Sequence, residues 1–346
     1  MNNPFISLQH MQKIALELGL DRIANNSKPN EIHVVSFSGG KTSAFLVYIM
    51  EIMRVVYNWN VHYVMMDTGA EHEATYAFVR NIVKYWGIKL TCIRTMVNPT
   101  MNVGVRYKVI GIDELVPDLK PWKAMVAKYG VPSVNTPYCS SRLKQEPHDK
   151  LCDDMFGRGN YTTWLGIRAD EPNRLSHFSN IIDMFDVEKP MLRPIRYLAE
   201  ISQKGKKQIN DWWADQPFNL ELAPHMGNCV FCVKKVEPKL IAAAKSEPAH
   251  ALAFEKMLNA PSVRRKDTDK YGHGVIYRGQ LSMTDINRLA KVIPQHSLEE
   301  TMEDLAFFEE DDPSFCSESC EVFSDFKYDL EPETTVEADE QIPLFA

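Results

Sequence analysis

The 346-residue sequence predicts an α/β fold, a doubly wound and mainly parallel sheet followed by a helical extension and an acidic tail. Three observations carry that prediction. Short apolar runs rich in β-branched residues alternate with stretches of helical period, a glycine turn joins the first run to the first long helix, and acidic residues collect at one end.

Taken in order, Ile6, Leu8, Met11, Ile14, Ala15 and Leu18 recur at helical spacing and predict one amphipathic helix over residues 6 to 24. Ile32 to Phe37 reads as a strand, broken by Gly39-Gly40 before Thr42 to Tyr57 resumes at helical period. Val61 to Met66 and Glu73 to Trp86 repeat the strand-helix unit, and Ile88 to Ile93 gives a third strand. From Asn98 to Asn135 the pattern is irregular, and helices covering a site are expected there. Tyr161 to Ile167 is a further core strand, and Ile195 centres a short extended segment ahead of a helix over Gln203 to Trp213. The resulting organisation is an N-terminal helix (1–30), an α/β domain (31–200), a helical, cysteine-containing extension (201–298) and a tail (299–346). Within that tail, 309–340 is expected to be flexible, because it is acidic and lacks periodicity.

With 45% hydrophobic residues the chain can bury a full core. No run approaches the roughly 20 apolar residues of a membrane span, and the N-terminus carries no basic-then-apolar leader, so a cytoplasmic protein is expected. The net charge of -7 conceals an asymmetry. From Glu299 onward there are 17 acidic residues against one lysine, Lys327, leaving 38 basic and 29 acidic residues in positions 1 to 298. A basic body suits phosphate-bearing partners, although a solvated lysine-rich surface has the same composition. Seven cysteines without a secretion signal read as thiols or metal ligands rather than as a disulfide framework.

Ser38-Gly39-Gly40-Lys41-Thr42-Ser43 falls where a strand ends and a helix begins, so its backbone N–H groups and the helix N-terminus can converge on an anion. The glycines let phosphate approach the backbone, the serine hydroxyls add donors, and Lys41 adds charge. A Walker loop needs a glycine five positions before Gly40, and Val35 stands there.

The loop resembles the SGGxDS-like PP-loop of the adenine nucleotide α-hydrolase superfamily, with Thr42 where an aspartate is commoner. Met66-Asp67-Thr68-Gly69 and His72 to Val79 resemble the DTG and HPETYEFV-like signature of the phosphoadenosine phosphosulfate (PAPS) reductase family. Gly166-Ile167-Arg168-Ala169-Asp170-Glu171, with Arg174 beyond, is similar to that family's arginine-bearing segment facing the nucleotide or sulfate. The resemblance implies nucleotide contacts from Ser36, Ser38, Gly39, Gly40, Lys41, Thr42, Ser43, Asp67, Thr68, Gly69, Gly166, Arg168 and Arg174, with Lys41, Asp67 and Arg168 as catalytic groups and Mg accompanying ATP. Arginine offers bidentate bonds to phosphate or sulfate; Asp67 fits a ribose hydroxyl, a metal ion or a structural N–H equally well.

In the iron-sulfur branch of the family a Cys-Cys pair and a later Cys-x-x-Cys hold a four-iron four-sulfur cluster. Here Cys139-Ser140-Ser141-Arg142-Leu143-Lys144 resembles the first half and Cys229-Val230-Phe231-Cys232 the second, with Ser140 replacing one thiolate. Cys139, Cys229 and Cys232 are then the ligands, with Cys152 or His225 as a fourth. Three thiolates suit a cluster with one open iron, as in tRNA-thiolating relatives, or zinc completed by His225. The basic flank of Arg142, Lys144, Lys234 and Lys235 favours the cluster, and Cys92 reads as a core thiol.

The reductases' C-terminal ECGLH-like motif is absent, and Cys316 and Cys320 sit amid acid that disfavours a thiolate. The expected chemistry is therefore ATP-dependent adenylation of an acceptor with release of pyrophosphate, followed by sulfur transfer to nucleic acid, DNA or tRNA. Sulfonucleotide reduction to sulfite and a non-catalytic nucleic-acid-associated factor are the alternatives. Finally, Gln341-Ile342-Pro343-Leu344-Phe345 resembles the QLxLF-type peptide that binds the bacterial sliding clamp, with Gln341, Leu344 and Phe345 as contacts.

Overall fold

Helix α1 (Leu8–Glu17) starts at Ser7, whose hydroxyl accepts the His10 N–H at 3.1 Å, and winding ends where Gly19 takes a φ of 66°. The segment expected as one helix is therefore two, α1 and the single turn α2 (Asp21–Ala24). The computed structural model describes residues 7–24, 30–134, 136–172, 174–175, 195–227, 229–264 and 275–311, with side chains given to 304 except that of Pro224.

Alternation along the strands builds the next layer. In β1 (Ile32–Ser36) and β2 (Asn60–Asp67), Val35, Tyr63 and Met65 enter one core while Val34, Val64 and Met66 enter the other. A parallel sheet covered on both faces has no polar side, which is why these strands read as unbroken apolar runs. Helices α3 (Lys41–Val56) and α4 (Glu73–Trp86) cover the first face, and Gly87 at a φ of 68° ends α4 in the left-handed conformation glycine favours.

Strand β3 (Leu90–Val97) lies two residues later than the apolar run suggested, and the irregular stretch after it contains an unforeseen strand, β4 (Val105–Ile110). β4 is the antiparallel edge of the sheet, pairing Val105 to Ile110 against Val97 to Cys92. Its Arg106, Lys108 and Val109 are exposed, and that mixed outer face erases the alternation a half-buried strand would show. The expected covering helix is α5 (Lys120–Tyr129). Helix α6 (Glu146–Phe156) packs on the second core, and β5 (Tyr161–Leu165) and β6 (Ile195–Tyr197) complete the order β4-β3-β2-β1-β5-β6.

Helix α7 (Lys206–Ala214) belongs to the first core: Trp213 is fully buried and stacks on Trp86 with centroids 5.7 Å apart. The extension expected from 201 thus begins inside the α/β core. A third core is formed by α5, α8 (Glu237–Ser246), α9 (Pro248–Leu258), the two-stranded β7 (Ile276–Arg278) and β8 (Leu281–Ser282), and α10 (Met283–Val292). Helix α11 (Gln295–Asp311) carries the chain through the first acidic residues of the expected tail; the rest of the stretch expected to be flexible lies outside the described residues.

Candidate functional site

The strand order reverses between β1 and β5, because the chain passes outward through β2 and β3 and then returns to the other side of β1. Crevices outside the carboxyl ends of strands at such a reversal are where open α/β sheets hold ligands. The loop after β1 and the segment after β5 meet there. Gly39 has a φ of 80°, and a Cβ on it would stand 2.7 Å from Thr75 Cγ2 and 3.2 Å from Val79 Cγ2. Only glycine can therefore bring this loop down onto α4. Gly166 lies equally close on the other side, where a Cβ would meet Ser43 Cα at 3.0 Å and its N at 3.1 Å.

The loop is held by its own hydroxyls. Ser38 Oγ and Ser43 Oγ are 2.9 Å apart, the Ser38 N–H donates to Ser43 Oγ at 3.3 Å, and Ser43 Oγ donates to the Gly40 carbonyl at 3.0 Å. Gly40 caps α3 without a side-chain bond, which leaves the first-turn amides of a sixteen-residue helix to a ligand. Ser36 is buried within the β1 ladder opposite Val64. Trp213 Nε1 donates to the Lys41 carbonyl at 2.9 Å, fixing the loop from below.

Arg168 reaches the same place, its guanidinium donating to Thr42 Oγ1 at 3.2 Å and to Asp170 at 2.8 Å while lying 3.6 Å from Glu171. Arg174 donates to the buried Glu171, a second link in the same ion-pair group. Asp170 also accepts the Lys206 N–H at 2.7 Å, tying the segment to the start of α7.

Of the three roles open to Asp67, the structural one is visible in its bonds. Asp67 is fully buried and accepts from Gly69 N at 2.8 Å, Tyr76 Oη at 2.6 Å and Arg94 Nε at 2.5 Å. Those bonds make it a strut of the β2 rim. Burial, reinforced by the charge of Glu71, pushes its carboxyl up to about 6. Tyr76 Oη also reaches Glu71 at 3.0 Å, and Glu71 accepts the Thr68 hydroxyl at 2.8 Å. Thr68 Oγ1 in turn lies 3.5 Å from Cys229 Sγ. Thr68 therefore faces the cysteines, while Gly69 faces the start of α5, its carbonyl accepting Leu119 N at 2.9 Å.

Cys139, Cys229 and Cys232 line one cleft, as the sequence pairing suggested, together with Thr68, Trp122, Ser140, Leu143 and Lys144. Val230 N donates to the Ala70 carbonyl at 3.0 Å, pinning the Cys-x-x-Cys loop to the β2 rim. Lys235 Nζ, buried, holds the loop's other side by donating to the carbonyls of His225 at 2.7 Å and Val230 at 2.9 Å. Cys139 and Ser140 open a helix whose next five residues, Ser141–Gln145, wind as a π turn before α6 begins. Single π turns inside helices recur at functional sites.

Neither proposed fourth ligand lines this cleft. Cys152 sits in the second core, beside His148 at 3.7 Å, and burial pushes its thiol well above the ordinary value. His225 Nε2 is buried with no hydrogen-bond partner among the described residues, and burial followed by Lys235 and Lys239 holds the ring's pKa down. Cys92 is the core thiol expected, pushed up to about 12 by burial. Among the described residues no three His, Cys, Asp or Glu side chains are grouped to hold a single metal ion. The donor set of the lining nonetheless suits an anionic, thiolate-bound group: it offers three thiols, a lysine to offset charge, and the buried indole N–H of Trp122, which has no partner among the described residues. Trp122 and Glu71 escaped the sequence reading, and only the position of Glu71 just after Asp67-Thr68-Gly69 could have signalled it.

Cys316, Cys320, Gln341, Leu344 and Phe345 lie outside the described residues. No described helix is long and apolar enough to cross a membrane.

Fold and site together define an open, mostly parallel α/β protein with a glycine loop and a helix N-terminus at its strand-order reversal and a thiol-lined cleft beside the end of β2. No family profile matches the chain. It is 43% identical over 297 residues to the uncharacterized nin region protein ORF290 of Escherichia phage lambda, an alignment covering 84% of this chain and 95% of the relative, and it belongs to that protein's family.

Proposed function

We propose that this chain is a PAPS reductase-like PP-loop enzyme that binds ATP or an adenylyl sulfonucleotide by its phosphates or sulfate. The observation that carries the reading is the meeting of the uncapped α3 N-terminus with Arg168 across the β1–β5 crevice. First-turn amides and a guanidinium together offer fixed positive ends where a polyphosphate accumulates charge, and fixed donors need no reorganisation as that charge develops. With ATP and Mg, an acceptor oxygen attacks the α-phosphorus, the bond to the β-phosphate oxygen breaks, and pyrophosphate leaves into the nest. Lys41 neutralises the leaving group and Arg168 orients it.

Cys139, Cys229 and Cys232 would hold an iron-sulfur cluster, which supplies an iron able to carry sulfur for transfer to the activated acceptor. Lys144 offsets the thiolates' charge, and Thr68 joins the cleft to the buried rim. Nucleic acid is the acceptor favoured by the basic composition of residues 1 to 298, and the C-terminal peptide would recruit the enzyme through a sliding clamp. Calorimetric titration with ATP and adenylyl sulfate, a pyrophosphate-release assay, and iron and sulfide analysis after anaerobic purification test the reading. Binding of neither nucleotide would overturn it.

A further inference from the structure

The thiol cleft contains a donor that the fold leaves unanswered. Trp122 is 2% exposed and lines the cleft beside all three cysteines, yet its Nε1–H meets no acceptor among the described residues. Buried indole N–H groups ordinarily find a partner, and one left without an acceptor is destabilising.

The placement of the ring is imposed from outside the cleft. Its edge-on contact with Phe254, at 5.2 Å between centroids, fixes the plane of the indole. The helix that carries it is anchored at its first residues, where Leu119 N donates to the Gly69 carbonyl at 2.9 Å. The remaining polar groups lining the cleft are thiols, the hydroxyls of Thr68 and Ser140, and the Lys144 ammonium; no carboxylate is among them. A wall of this composition is short of acceptors, so its occupant must bring them and is best anionic.

We infer that the Trp122 indole N–H donates a hydrogen bond to sulfur of the group bound by Cys139, Cys229 and Cys232. The inference rests on the iron-sulfur reading and deepens it: Trp122 is a positioning residue that sets the electron affinity of the cluster. Hydrogen bonds to cluster or thiolate sulfur stabilise the more negative, reduced state, so removing one lowers the reduction potential.

The experiment compares wild-type protein with Trp122→Phe, which keeps the ring against Phe254 and deletes only the donor, both purified anaerobically. The expected result is equal iron and sulfide content with a more negative potential in the variant. Equal content with an unchanged potential overturns the role of Trp122 and leaves the cluster reading standing. Wild-type protein without iron or sulfide overturns the cluster reading, and the inference falls with it. A measurement needing no variant covers the case in which Trp122→Phe fails to fold. Pulsed electron paramagnetic resonance of the reduced wild type, grown with tryptophan isotope-labelled at the indole nitrogen, should show coupling of that nitrogen to the cluster. A cluster signal lacking this coupling overturns the inference.

Discussion

The glycine loop after β1 and the thiol cleft after β2 lie at the same end of the sheet but are assembled in opposite ways. The nest's loop is mostly local: Ser38 to Ser43 bond to one another, and its distant requirements are room for Gly39 against Thr75, the approach of Gly166 and Arg168, and the Trp213 bond to the Lys41 carbonyl. The cleft is non-local, drawing on Thr68, Trp122, Cys139 to Lys144 and Cys229 to Cys232. Such a site depends on the docking of α5 and of the Cys-x-x-Cys loop onto the rim, whereas the nest is largely fixed once β1 and α3 form. The difference teaches that the two sites should fail separately.

The sharpest way to break that contrast is Cys229→Ser. Complete loss of iron and sulfide is expected, with ATP affinity within about threefold of wild type by the independence of separated sites, as checked by metal analysis and calorimetry. Cys152→Ser should retain the metal, since its thiol belongs to another core. Collapse of nucleotide binding in Cys229→Ser would show the two sites to be one. The converse change, Gly39→Ala, forces a left-handed alanine against a β-branched neighbour and should cost about 2–4 kcal/mol of stability. ATP affinity should fall about a hundredfold, the loss being read by urea unfolding and titration.

Arg168→Lys sharpens the comparison within the nest. Lysine cannot reproduce the fork that serves Thr42, Asp170 and an anion together, so affinity should drop about tenfold, a loss of about 1.4 kcal/mol. Unchanged affinity would make Arg168 purely structural. The smallest effect concerns a control region at the opposite, N-terminal end of β1. His33 is buried, stacks on Trp59 at 4.1 Å and accepts the Trp164 Nε1–H at 3.1 Å. Burial is the main cause that holds its pKa down to about 4, from an ordinary 6.5. The unfolded chain therefore binds a proton that the folded one refuses between those values, so stability falls as pH drops from about 6.5 to about 4, by at most on the order of 3 kcal/mol. His33→Gln should flatten that slope in urea titrations without altering either site.

How much of this was legible depends on the same contrast. The glycine loop, the two-faced strands and the helix following Gly40 announce themselves because their physics is contained within a few residues. The three thiols were traceable only through their resemblance to a known spacing. Asp67 was legible as a possible holder of a structural N–H, but its partners were not, since Arg94 and Tyr76 reach it from other elements. Strand β4 was hidden because an exposed edge tolerates Arg106 and Lys108, and Trp122 was hidden because an orphan donor has no sequence signature.

The π turn at Ser141–Gln145 has one more consequence. Each residue of an ordinary helix advances the azimuth by about 100°. Deleting one residue there, and so restoring regular winding, would swivel Cys139 and Ser140 by about that angle relative to α6, away from their present bearing on Cys229 and Cys232. Chain length at this point thus acts as a register mark: substitutions within the turn can be absorbed, but a single-codon deletion would dismantle the cleft while every cysteine stayed in place.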